Sequence, residues 1–184
     1  MKSRLTYSFF LIFSMLFIAC NSSKSVVTSE QIAFLDSMIQ NKSFHIESDR
    51  AYPQVTSAMG SLQGSGLIPP GSNVNQMNIL GIDNYLRIVG DSIKAYLPYF
   101  GERQMQINYS SDDNAIQFKG LMKDYEVEKN PKDESYTIKF KTRSNTESFR
   151  VNIKLYPNRK TDMTLYGAGR FPISYSGYVG LIEE

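Results

Sequence analysis

Residues able to carry acid, base or metal chemistry are few in this chain and poorly assembled. His45 is the single histidine and Cys20 the single cysteine among 184 residues, so neither a histidine triad nor a multi-histidine metal site can form within one chain. Three carboxylate pairs, Asp112-Asp113, Glu126 with Glu128, and Asp133-Glu134, have the residue types of a glycoside hydrolase. Two of them fall in predicted turns. Glu126 and Glu128 fall on the polar face of a predicted strand, where Lys139 and Lys141 of the next strand can pair with them. Asp112-Asp113-Asn114 offers oxygen ligands for a hard cation, but no spaced loop closing on a glutamate follows. No Gly-x-Ser-x-Gly elbow occurs, and the glycines of Gly60-Ser61-Leu62-Gln63-Gly64-Ser65-Gly66 lack the Gly-Lys-Ser/Thr of a phosphate cradle. The expectation is a protein without catalytic residues, metal ligands or cofactor.

Aromatic surface is the positive signal. The chain has 12 tyrosines and 11 phenylalanines with no tryptophan. Strand alternation puts Tyr96, Tyr156, Tyr166 and Tyr178 off the apolar face, an amphipathic surface suited to peptide, glycan or protein. Tyrosine is also a good strand former that covers a half-exposed sheet without binding anything. In Leu97-Pro98-Tyr99-Phe100-Gly101, Pro98 and Gly101 bracket two aromatics at a strand end. Such a place either plugs a sheet edge, the favoured reading, or presents Tyr99 and Phe100 to a ligand. Tyr96, Tyr99, Phe100, Tyr166 and Tyr178 are therefore the candidate contact residues.

These residues must be positioned by strands. Thr28-x-x-Gln31 has the form of a capping box, and Ile32, Leu35, Met38 and Ile39 recur at helical spacing, which predicts one amphipathic helix. From Phe44 the period changes to two. Leu86 and Ile88, a Gly90-Asp91 turn, then Ile93, Ala95 and Leu97 predict a hairpin. Tyr125 and Val127 alternate with Glu126 and Glu128, and Asn130-Pro131-Lys132-Asp133 turns into Tyr136, Ile138 and Phe140. Phe149, Val151, Ile153 and Leu155 follow, and Pro157-Asn158 turns back toward Met163 and Leu165. Strands near 103–109, 115–119 and 172–182 complete a meander. Residues 58–78 show no periodicity and are expected to form a long flap. The fold class is mainly β, an antiparallel meander curled into a sandwich or partial barrel, with one N-terminal helix.

The N-terminus says where the protein works. Lys2 and Arg4 precede an apolar run from Phe9 to Ile18, too short for the roughly 20 residues of a bilayer span and laid out as a secretory signal. Phe17-Ile18-Ala19-Cys20 resembles the bacterial lipoprotein cleavage box, with Phe17 where leucine is usual. The resemblance implies removal of residues 1–19, lipidation of Cys20, a flexible polar tether over 20–27 and a single β-rich domain over 28–184. Acyl chains would hold such a protein on a membrane. Acylated Cys20 leaves no thiol for disulfide, metal or nucleophile. Losing Lys2 and Arg4 reduces 20 basic residues to 18 against 18 acidic ones, which removes the main support for nucleic acid as partner. No acid occurs between Cys20 and Glu30, which favours the periplasmic face of the outer membrane over the cell surface.

Leu97-Pro98-Tyr99-Phe100-Gly101 after the Gly90-Asp91 hairpin, together with Ile173-Ser174-Tyr175-Ser176-Gly177 near the C-terminus, resembles the Bacteroidetes lipoprotein family catalogued as domain-of-unknown-function 4251. The order of helix, glycine-rich loop, hairpin, aromatic motif and meander fits over nearly the whole chain. The resemblance implies architecture and compartment and no catalytic residue. Asp91-Ser92-Ile93 and Asp36-Ser37-Met38 resemble the acceptor of Bacteroidetes periplasmic O-glycosylation, which makes Ser92, and secondarily Ser37, candidate modification sites. The functional expectation is a membrane-anchored, non-catalytic module that binds an envelope protein, glycan or lipid. A carrier of an apolar ligand inside a partial barrel is the alternative, and an envelope hydrolase the third reading.

Overall fold

The computed structural model of the chain describes residues 27–66, 68–102, 115–145 and 147–182. Cys20, the strand expected near 103–109 and Asp112-Asp113-Asn114 lie outside the described residues.

Helix α1 (Ser29–Asn41) starts where the capping box places it: Thr28 accepts from the Gln31 backbone, and the Gln31 side chain accepts from the Thr28 backbone. Its stripe of Leu35, Met38 and Ile39 is buried. Lys42 closes it in the left-handed conformation, and the chain turns directly into β1 (Ser43–Pro53). Residues 58–78 are not one structureless flap. They contain a short helix α2 (Ser57–Leu62), capped by Thr56, and a two-residue strand β2 (Met77–Asn78) against β1. A six-residue helix is too short to show the 3.6-residue period, which is why the sequence hides it.

The remaining strands are β3 (Tyr85–Val89), β4 (Ser92–Leu97), β5 (Ile116–Leu121), β6 (Lys123–Asn130), β7 (Ser135–Arg143), β8 (Ser148–Leu155), β9 (Lys160–Gly167) and β10 (Ile173–Gly180). All pairings are antiparallel, in the order β5-β4-β3-β1-β10-β9-β8-β7-β6. Only Met122 separates β5 from β6, the two ends of that order. β5 lies against β7, and Thr142 donates to the Leu121 carbonyl at 3.4 Å. The sheet is thus a nearly closed barrel with a seam at a chain corner, the architecture that alternation and turns predict.

Alternate residues face inward and form one apolar cluster from Leu35 of α1 to Val179 of β10, with Phe44, Phe140 and Tyr175 among its largest fully buried side chains. Among the described residues the interior side of the sheet is therefore a packed core, as in other small barrels filled by side chains. The outer face is charged, the inverse of a membrane barrel's apolar outer band. One expected core position is corrected. Val127 is 39% exposed because β6 is the last strand of the order and only Tyr125 on it is packed against the cluster. The register sets Glu126 opposite Lys139 but Glu128 opposite Thr137, and Lys141 pairs instead with Asp124 at 2.8 Å.

Polar contacts hold α1 over the β6–β7 hairpin. Asp36 accepts from Lys129 at 2.9 Å and from the Tyr136 hydroxyl at 2.8 Å. Burial pushes the Asp36 carboxyl up, but these bonds outweigh it and the net shift is downward from 3.8. The Lys129 ammonium, bonded by Asp36 and Glu134, is raised above 10.5. Asp36 therefore stabilises the fold fully above about pH 4 and loses that contribution as pH falls through its lowered value. Lys129 contributes fully below 10.5 and loses its contribution only as pH rises through its raised value. Asp36→Asn is expected to remove up to about 1 kcal/mol at neutral pH, and to match the parent once both are unfolded from strongly acidic buffer. Urea titrations at pH 7 and at low pH check the Asp36 sign.

Candidate functional site

The five candidate aromatics do not converge. Tyr99 is buried: its hydroxyl donates to the carbonyls of Glu102 (2.9 Å) and Phe171 (3.2 Å), and Arg170 lies over its ring. Phe100 is half-buried and packs against the core. Tyr99 is thus packed inside one end of the barrel, while Phe100 keeps part of its surface exposed there. Tyr96 stacks with Tyr85 at 6.4 Å across the β3–β4 pair, and Tyr166 carries Arg150 over its ring at 5.1 Å across β8–β9. Tyr178 is 53% exposed on β10. Ser92 is exposed as the first residue of β4, and Ser37 is exposed on α1 with its hydroxyl on the Phe34 carbonyl.

The two sequence motifs that carry the family resemblance do meet. The Tyr175 hydroxyl donates to the Pro98 carbonyl at 2.8 Å, and burial raises its pKa strongly. A Cβ on Gly101 would lie 2.8 Å from the Tyr99 hydroxyl, so a side chain there would displace Tyr99. Beside it, Arg170 bonds Glu147 through Nε (2.9 Å) and Nη2 (2.7 Å), and Glu147 also accepts from the Gly169 backbone. Among the described residues these contacts tie the two motifs together at one end of the barrel.

Ligand-competent geometry lies on the outer face, where Tyr178 joins residues of β1, β9 and the β8–β9 turn in a cleft of about 520 Å³, within the range of small-ligand sites. Its local cause is a bulge in β1. The register steps from Ser48 opposite Gly177 to Arg50 opposite Ser176, leaving Asp49 as the extra residue. The Asn84 side chain takes the place of a strand partner there, accepting from the Ser48 N–H at 2.7 Å and donating to the Ser48 carbonyl at 2.9 Å. Opposite the bulge only glycine fits, since a Cβ on Gly177 would come 2.0 Å from the Glu47 carbonyl oxygen.

The freed Asp49 carboxylate accepts from Ser176 at 3.3 Å, and Ser176 shares a bond with the Tyr52 hydroxyl at 3.2 Å. With the serine proton on Asp49, Tyr52 is the donor, and the three form a relay along the cleft floor. On the other wall, Tyr156 donates to Asp162 at 3.0 Å; burial first and this bond second raise the tyrosine's pKa. Thr161 lines the cleft with a buried hydroxyl that has no partner among the described residues. Arg50, Asn158 and Lys160 complete the polar rim. Three tyrosine rings, two carboxylates and several donors thus line one concave surface. That combination complements a ligand with apolar C–H faces and many hydroxyls: rings stack on the tyrosines while carboxylates and amides bond the hydroxyls.

Of the residues lining this cleft, sequence reasoning singled out Tyr178 as a candidate contact and placed Tyr156 off the apolar face, but did not select Asp49, Tyr52, Asp162 or Ser176. The one available signal was the small-residue run Ser174-Tyr175-Ser176-Gly177, whose outward serines leave a floor beneath neighbouring tyrosines. Among the described residues no group of three His, Cys, Asp or Glu side chains is placed to hold a metal, and no helix is long and apolar enough to cross a membrane.

No curated protein matches the chain. Its fold is similar to the crystal structure of a DUF4251 family protein from Bacteroides eggerthii DSM 20697, with 9% sequence identity, a TM-score of 0.52, and coverage of 83% of this chain and 89% of that one. A model of the family described as domain of unknown function (DUF4251) matches residues 27–179. The chain belongs to the DUF4251 family.

Proposed function

We propose that this protein is an envelope lipoprotein, held on the outer membrane through lipidated Cys20, whose barrel presents a non-catalytic binding cleft for glycan. The observation that carries the glycan reading is the convergence of Tyr52, Tyr156 and Tyr178 with Asp49 and Asp162 on one cleft. Both carboxylates already accept hydroxyl donors from the protein, the role they would keep toward sugar hydroxyls. The packed interior supports a surface-binding module over an apolar carrier, which needs a lumen of several hundred Å³. The anchoring reading rests on the sequence of residues 1–20.

The test is calorimetric titration of the full chain with neutral envelope oligosaccharides, paired with native mass spectrometry of the protein from its own membrane. Tyr178→Ala is expected to weaken binding about tenfold, the effect of about 1.4 kcal/mol of lost apolar contact. Saccharide binding unaffected by Tyr178→Ala and by Asp162→Asn would move the site elsewhere. A copurifying apolar lipid with no saccharide binding would replace the module by the carrier. The intact mass would show the acyl additions on Cys20, and any hexose on Ser92 or Ser37.

A further inference from the structure

A second surface, astride the barrel seam between β5 and β6, is organised by cross-strand register. Arg87 of β3 stands directly opposite Lys94 of β4, and Lys94 directly opposite Lys119 of β5. His45 of β1 continues the row opposite Arg87. Beyond the corner at Met122, Lys123 of β6 stands opposite Lys141 of β7, and Lys141 opposite Arg150 of β8. Two cationic ladders therefore meet where β5 runs into β6, with Lys119, Leu121 and Lys123 on alternate positions around the bend.

Like charges facing each other across a sheet destabilise it, so these ladders are not there to hold the fold. Arg87, Lys94, Lys119 and Arg150 form no ion pair among the described residues. Lys94 and Arg150 lie over the rings of Tyr85 and Tyr166. The nearby acids Asp91 and Asp124 are taken by Lys42 and Lys141, and Glu47 and Glu126 stand in the adjoining rows.

Next to the first ladder runs an apolar row. Val89, Ser92 and Leu121 are in register across β3, β4 and β5, with Val89 53% and Leu121 65% exposed. Side-chain-free Gly120 opens a groove of about 260 Å³ between this row and the lysines. Leu121 also borders the basic cleft formed by Lys123, Lys141, Arg143 and Arg150.

We infer that this corner docks on an anionic phospholipid surface, with Leu121 and Val89 entering the headgroup layer and the two ladders on lipid phosphates. Charge complementarity selects an anionic partner. The exposed Leu121 at the β5–β6 corner, with Lys119 and Lys123 two positions to either side, selects a bilayer over a dissolved polyanion, because a polyanion offers nothing apolar for Leu121 to enter. The lysine stems can lie along the acyl boundary while their ammonium groups reach the phosphates.

The absence of tryptophan from the chain provides the test. In the chain lacking residues 1–20, so that neither the apolar N-terminal run nor an acyl chain contributes, Leu121→Trp places a single indole at the corner. Leu80→Trp, at a 76% exposed site next to Ile79, whose N–H bonds the Asp49 carbonyl at the β1 bulge, is the control. With phosphatidylglycerol vesicles the Leu121→Trp emission is expected to shift blue and to be quenched by brominated acyl chains. The control does neither, and phosphatidylcholine vesicles leave both unchanged. Adding Lys94→Glu and Lys119→Glu is expected to weaken vesicle partitioning about fivefold for each cation removed. These changes also relieve ladder repulsion, so an undiminished melting temperature shows the variant folded, and a salt titration of the Leu121→Trp chain gives the same electrostatic readout without them. Equal shifts with both vesicle types, no shift with anionic vesicles, or a shift produced only by a soluble anionic polysaccharide overturns the inference.

Discussion

Replacing Glu147 with alanine is expected to destabilise the domain by about 3–5 kcal/mol, because it strands a buried guanidinium. The Arg170 and Glu147 side chains are 7% and 8% exposed, and Arg170 lies over the rings of both Tyr99 and Phe149. Its Nη1 already lacks a partner among the described residues. Without Glu147 the other two guanidinium nitrogens and the Gly169 N–H lose their acceptor as well. With so little of the guanidinium exposed, the charge stays poorly solvated unless the barrel end opens. Urea unfolding should show the full loss, and a thermal melt a fall of roughly 10 °C. The double replacement Glu147→Leu with Arg170→Met is expected to recover most of it, since removing both charges removes the desolvation cost along with the attraction. A loss below about 1 kcal/mol for Glu147→Ala would mean that the pair is hydrated in solution, as surface pairs are.

Gly177→Ala is the second large effect. The added methyl would sit 2.0 Å from the Glu47 carbonyl oxygen and 2.5 Å from the Ser48 Cα. Both are backbone atoms, so no side-chain rotation relieves the clash. The β1–β10 pair must separate or the bulge must move, at a cost of about 3 kcal/mol, the upper end for overpacking. Bulge movement has a second readout. Asp49 would lose its hydrogen bond from Ser176, so saccharide titration of whatever fraction remains folded should fail even where far-ultraviolet circular dichroism is retained. Gly180→Ala is the internal comparison: its nearest contact is the His45 ring at 3.0 Å, a side chain that can turn aside, and the expected loss is under about 1 kcal/mol.

Legibility in the sequence followed the range of the interactions. The capping box of α1 involves residues three apart, so Thr28 and Gln31 announce it. Hairpins such as β3–β4 and β6–β7 join strands separated by a short turn, so alternation with a turn signal predicts both pairings, and for β3–β4 both faces. The family motifs pointed to the barrel end because Tyr99 and Tyr175 are large enough to demand burial wherever they fall. What escaped depends on partners far along the chain. The bulge at Asp49 exists only in relation to Gly177, and the cleft needs Tyr52 and Tyr156 brought together by β10 between them. Likewise, Arg87, Lys94 and Lys119 are unremarkable charges on three separate strands until register sets them side by side. Val127 was misplaced for the converse reason: alternation identifies two faces of a strand, but whether the inner face is covered depends on the strand's position in the sheet.

The strand order has a kinetic consequence. The first long strand, β1, and the last, β10, are neighbours in the middle of the sheet. Until β10 is available, the hairpins assemble as two separate fans, β5-β4-β3-β1 and β9-β8-β7-β6, each ending in an open edge with one apolar face uncovered. Joining them closes a loop spanning nearly the whole domain, the kind of late, distant contact that slows folding and exposes aggregation-prone edges meanwhile. Loss of the final ten or so residues should accordingly yield two sticky half-sheets in place of a slightly shortened barrel.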